Sequence, residues 1–244
     1  MPTLPPPTVR VRGLAYLDAD LSHLADLLRE RLHASAPTVI FTPNAKIAGD
    51  ARRDASLHAL LQEADLLLPD GAGILLASRR HADRPLIHRL PGIEAGEIAL
   101  QLAAKGQHPV YFLGGKPGVA EQAAKAWKER LPALPVAGTH HGYFDREGVE
   151  NGAILQEIRE SGAQILLVCF GFPEQETWIV KNKSALAAVR LFMGLGGSFD
   201  VWSGNVRRAP ALFRAIHGEW LWRMLREPRR FVQFPALIGY VFGR

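Results

Sequence analysis

Leu66-Leu67-Leu68-Pro69-Asp70-Gly71-Ala72-Gly73 is the stretch that decides the fold. An apolar run ends in Pro-Asp-Gly, and small residues lead on into a further apolar segment. A run without alternation reads as a strand buried on both faces, as in a parallel sheet. Gly71 and Gly73 predict a tight turn behind it, because glycine tolerates backbone angles that other residues resist. The carboxylate of Asp70 then stands just past the carboxyl end of a core strand, where open α/β sheets bind ligands and do chemistry. An acid in that place either does chemistry or caps the next helix. This segment alone leaves both open.

On both sides the pattern alternates strand with helix. Residues 9–17 read as a strand, and Asp20 is set to cap a helix carrying Leu21, Leu24, Ala25, Leu28 and Leu32 on one face. Residues 38–41 form a buried strand leading to Thr42-Pro43-Asn44, with a helix to about Glu63 behind it. Helices are expected over 93–105, 119–130, 147–160 and 174–187. Strands are expected at 110–113, 135–138, from Ile165, and at 189–193. Repeated strand–helix units of this length predict an α/β, doubly wound, mostly parallel sheet.

Composition bounds the rest. The 244 residues, 48% hydrophobic and 22% charged, suit a globular protein with a full core. The single cysteine, Cys169, lies in the apolar run 165–170 and reads as a core residue; a reducing cytoplasm is expected. The first seven residues carry neither a basic start nor an apolar core, so no signal peptide is read there. No segment offers the ~20 apolar residues of a membrane span.

Charge is uneven. From Ser203 to Arg244 eight arginines face only Glu219 and Glu227, whereas the whole chain carries +5. All the excess positive charge therefore lies beyond residue 202, mixed with Phe213, Trp220, Trp222, Phe231, Phe234, Tyr240 and Phe242. This shift divides the chain into a catalytic domain, 1–202, and a basic, aromatic-rich helical appendage, 203–244. Arginine among amphipathic aromatics suits phosphate groups and a membrane interface. A nucleic-acid tail, or a helix with a solvated basic face, are the competing readings.

The strand ends carry the candidate chemistry. Thr42 and Asn44, Asp70 and Gly71, Gly114-Gly115-Lys116, Gly171 to Glu176, and Gly194 to Asp200 with Gly196 all follow apolar strands. In a parallel sheet such loops share one edge and can line a single crevice, with backbone N–H groups at helix starts favouring a diphosphate. No Walker loop occurs, and Gly194-Leu195-Gly196-Gly197 lacks the dinucleotide spacing. Asp18-Ala19-Asp20 abuts a helix start, where capping competes with a metal role. His140-His141 reads as an exposed loop pair without zinc spacing.

The chain as a whole resembles the WecG/TagA/CpsF family of bacterial glycosyltransferases from about Val11 to Arg230. The resemblance rests on Thr42-Pro43-Asn44, Pro69-Asp70-Gly71, Phe112 to Gly118, Gly142-Tyr143-Phe144, Gly171 to Trp178, Gly196 to Asp200, Arg208-Ala209-Pro210, Glu219 to Arg223 and Glu227 to Arg230. Each piece is weak alone; so many in one order are strong. It implies a Rossmann-like fold and an inverting, metal-independent transfer of a sugar, typically N-acetylmannosamine, from a UDP donor. The implied acceptor is a polyprenyl-diphosphate-linked glycan at the inner membrane face, in cell-wall or surface polysaccharide synthesis. It also implies Asp70 as the catalytic base, with Thr42 and Gln175 needed for activity, and a C-terminal appendage that engages the lipid diphosphate.

The chemistry of the residues agrees. An inverting transfer needs a base to take the proton of the attacking hydroxyl, and a carboxylate at a crevice mouth is suited to that. Without a metal, departing UDP needs backbone N–H groups and cations. Asn44, Gly71, Gly114, Gly115, Lys116, Gly171 and Gly196 are therefore expected to bind substrate. Arg208, Arg223, Arg229 and Arg230 are expected to join them, with Asp200 placed for uracil, a cap or a buried pair. No cofactor, no metal and no nucleic-acid partner are expected; self-association is open. Two departures stand out: Glu174 where relatives often carry Lys, and Glu94 where they often carry Asp. A nicotinamide oxidoreductase, or a non-catalytic binding module, are the rival readings.

Overall fold

The computed structural model describes residues 7–210, 222 and 234–243. Eight strands form one sheet: β1 (Thr8–Val11), β2 (Leu14–Leu17), β3 (Thr38–Phe41), β4 (Leu66–Leu67), β5 (Val110–Gly114), β6 (Val136–His140), β7 (Ile165–Cys169) and β8 (Leu191–Gly194). Their order is β1-β2-β4-β3-β8-β7-β5-β6. All pair in parallel except β1 with β2. The mostly parallel α/β architecture is as the alternation predicts, and it is Rossmann-like as the resemblance implies.

The central strands β3, β5, β7 and β8 are buried on both faces because each face is covered, whereas β1 alternates exposed with buried residues. In β3, Ile40 points to one side while Val39 and Phe41 point to the other, and all three are buried. Helices α1 (Leu21–His33), α5 (Gly92–Gly106), α6 (Val119–Arg130) and α9 (Ser198–Trp202) cover the first side with Leu28, Ala99, Trp127 and Phe199. Helices α2 (Ala45–Arg53), α3 (Ala55–Gln62), α4 (Ala72–His81), α7 (Val149–Glu160) and α8 (Glu174–Asn182) cover the second. A last helix, α10 (Phe234–Phe242), adds buried Tyr240 and Val241 to that second core and packs on α2 and α4.

Several local expectations are corrected. Residues 9–17 are not one strand but a hairpin, turned by Arg12 and Gly13 at φ 47° and 89°. The helix expected to reach Glu63 breaks at Asp54, whose carboxylate caps α3 through Ser56 and Leu57 N–H. Gly73 does not join the turn; it lies in α4, and Gly71 alone takes positive φ, at 88°. The helix expected over 174–187 ends at Asn182 and gives way to a 3₁₀ turn, Lys183–Ala185. His140 closes β6, and both His140 and His141 are half-buried rather than exposed.

Asp20 caps α1 by accepting the N–H of His23. Asp18 is no cap: it is buried, pairs with Arg84 and accepts Ile87 N–H. It anchors the connection that runs from α4 to α5. Cys169 is a buried free thiol, as its apolar surroundings predict.

Candidate functional site

Strands β4, β3, β8 and β7 are neighbours, so the loops beyond their carboxyl ends meet at one edge of the sheet. There they enclose a crevice of about 130 Å³, lined by Thr42 and Asn44 after β3, Asp70 after β4, Phe172 and Gln175 after β7, and Gly196 after β8. A single water needs only ~10–15 Å³ of such space, so the crevice has room for more than a single water. Pro91, Ile93, Leu195 and Val201 give it an apolar wall. Leu195 belongs to the Gly194 to Asp200 loop expected here; Pro91, Ile93 and Val201 escaped the sequence reading, because only the order of the strands brings them together.

Asp70 is held in place by backbone. Leu68 N–H bonds Phe41 O at 2.9 Å and Leu90 N–H bonds Pro69 O at 3.0 Å, so the segment leading into the acid is tied to β3 and to the loop before α5. The N-cap position of α4 belongs to Gly71. Asp70 stands one residue outside the helix, half-buried on the crevice.

Thr42, 9% exposed, donates its hydroxyl to Gly194 O at 3.1 Å. Gly92 makes room for it, since a Cβ there would come within 2.7 Å of Thr42 Oγ1. Asn44 is exposed; its Oδ1 accepts Lys46 and Ile47 N–H and so caps α2. Gln175, 3% exposed, accepts Gly196 N–H at 2.9 Å and donates to Glu176 Oε1 at 2.8 Å. Burial lifts the Glu176 carboxyl to about 7.

The other expected ligands lie elsewhere. Gly114 is buried against β7, where a Cβ would meet Cys169 O at 2.4 Å; its φ of 141° is a packing requirement. Gly115 bonds Cys169 O and Gly142 N–H, and Lys116 is exposed; neither lines the crevice. Gly171, at φ 89°, accepts Gln175 N–H and so starts α8. Asp200 lies in the first turn of α9, half-buried and outside the crevice lining. Arg208 binds Glu94 at 2.6 Å and lies 3.6 Å from Glu97, fastening the chain to α5. Arg223, Arg229 and Arg230 lie outside the described residues. No group of three or more His, Cys, Asp or Glu side chains converges among the described residues. Nor is any described helix long and apolar enough to cross a membrane.

Comparison with known proteins gives the chain relatives. The model of the glycosyl transferase WecG/TagA/CpsF family matches residues 9–242. An N-acetylglucosaminyldiphosphoundecaprenol N-acetyl-beta-D-mannosaminyltransferase of Bacillus spizizenii is 31% identical over 235 residues, covering 96% of this chain and 89% of the relative. The protein of the same name from Staphylococcus aureus is 34% identical over 203 residues, covering 83% and 78%.

Proposed function

The chain belongs to the WecG/TagA/CpsF family of glycosyl transferases, and from that premise we propose that it moves N-acetylmannosamine from UDP to a polyprenyl-diphosphate-linked N-acetylglucosamine. Family membership sets aside the oxidoreductase and the non-catalytic binding module. The observation that carries the reading is the convergence of Asp70, Thr42 and Gln175, drawn from three strand ends, on one mostly polar crevice with an apolar wall.

In this reading the Asp70 carboxylate takes the proton of the acceptor hydroxyl as its oxygen attacks the anomeric carbon. The new C–O bond forms as the bond to the β-phosphate oxygen breaks, and UDP leaves with the electron pair. With an α-linked donor, the β linkage in the relatives' names requires inversion, and one carboxylate suffices for a single displacement. Backbone N–H groups of the crevice loops stabilise the departing diphosphate in place of a metal, and arginines of the appendage engage the diphosphate of the acceptor. The apolar wall excludes water, which protects the donor from hydrolysis. The protein works as a peripheral enzyme at the inner membrane face, where its acceptor is anchored.

A screen of UDP-sugars against a short polyprenyl-diphosphate-N-acetylglucosamine, scored by UDP release, tests this. UDP-N-acetylmannosamine is expected to give acceptor-dependent release that EDTA does not slow. No release with any sugar donor, or release independent of acceptor, contradicts it.

A further inference from the structure

Positions 175 and 176 open α8 with two polar side chains turned inward, 3% and 2% exposed. Glu176 is the costlier of the two. Its Oε2 is buried without a hydrogen-bond partner, and its one side-chain hydrogen bond among the described residues accepts Gln175 Nε2 at 2.8 Å. An apolar side chain of that size would fill the space at lower cost, because a buried carboxyl loses its hydration for a single bond. The geometry shows what that bond does. With Nε2 held by Glu176, the Gln175 amide must present Oε1 to the other side, where it accepts Gly196 N–H at 2.9 Å. Turned over, the amide would set a donor against that N–H and an acceptor against the carboxyl.

The loop beyond β8 is thereby pinned from both neighbouring strand ends. Thr42 bonds Gly194 O from the β3 side, and Gln175 bonds Gly196 N–H from the β7 side. The approach is close: a Cβ on Gly194 would stand 3.0 Å from Gln175 Nε2. Gly196 and its neighbours Leu195, Gly197 and Ser198 form one wall of the crevice that Asp70 also lines. Glu176 itself is not part of that lining.

We propose that Glu176 is a positioning residue for the transfer, acting through the orientation of the Gln175 amide on the Gly194–Ser198 wall. This rests on the crevice being the site of transfer. The test compares two substitutions. Glu176→Gln keeps a carbonyl oxygen where Gln175 Nε2 needs it; Glu176→Leu fills the volume without an acceptor, and Glu176→Met is the second apolar variant should leucine fail to fold. The apolar variant is expected to unfold at the same or a higher temperature than the parent, yet to lose about tenfold or more in kcat, as loss of an orienting hydrogen bond implies. The glutamine variant is expected to stay within about threefold of the parent.

A role in packing alone would make activity follow stability, so an apolar variant both stable and fully active overturns the proposal. A second readout does not depend on transfer. In ¹⁵N–¹H spectra the Gln175 side-chain amide protons should be dispersed, and the Gly196 amide protected from exchange, in the parent and the glutamine variant. Both signatures should be lost in the apolar variant. If they persist there, the proposal fails. If they are lost while the parent transfers no sugar, the positioning stands and the assigned reaction falls.

Discussion

Gly114 and Glu176 show how differently two residues near the same sheet edge answer to physics. Gly114 belongs to a glycine-rich loop of the kind that cradles phosphates, yet its neighbour is the backbone of β7 at a distance no Cβ tolerates. Gly114→Ala should therefore cost on the order of 2–4 kcal/mol in urea unfolding, through strain at positive φ and a backbone clash. An unchanged midpoint would return the residue to the ligand side. Glu176 leaves its mark on pH dependence. Burial raises its carboxyl from 4.5 in the unfolded chain to about 7 in the fold. The stability that goes with the protonated form is complete below 4.5 and is lost as pH rises through 7. Replacing it with glutamine removes that loss, so Glu176→Gln should gain on the parent between pH 5 and pH 8. Denaturant titrations at the two pH values measure it; a gain toward acid instead would contradict the assignment.

At the scale of elements, the alternation of strands and helices is legible because strands buried on both faces are plain apolar runs. The hairpin of β1 and β2 is not, since its turn falls on Arg12-Gly13 rather than on the Asn-Gly or Asp-Gly pair that marks such turns. Helix α4 is hidden by its opening Ala72-Gly73, which reads as turn, although Gly71 alone makes the turn. Strand order is the larger loss. Thr42, Asp70 and Gln175 are legible as strand-end polar residues, but their meeting depends on β8 lying between β3 and β7, which no local pattern records. The appendage divides in a similar way. Tyr240 and Val241 of α10 belong to the core, so a truncation at residue 203 would unfold as well as disarm. The cleaner change is Arg223, Arg229 and Arg230 to glutamine together. It should raise KM for a polyprenyl-diphosphate acceptor by about tenfold or more, as lost charge-assisted phosphate contacts imply, with little change in Kd for UDP. Equal losses in both would assign those arginines to the donor.

For the whole molecule, one sheet edge gathers a carboxylate, a hydroxyl and an amide beside an apolar wall, and family membership supplies the reaction class. Two faces of helices, each burying its own core, hold that edge still. The proposed transfer depends most on Asp70, which follows β4 outside the cap of α4 and lines the crevice. The direct measurement is transfer from UDP-N-acetylmannosamine to a polyprenyl-diphosphate-N-acetylglucosamine by the parent and by Asp70→Asn, with UDP affinity measured on both. Loss of transfer by at least about a hundredfold, the usual worth of a general base, with UDP binding retained, is the expected result. Undiminished turnover by Asp70→Asn would contradict the account at its centre.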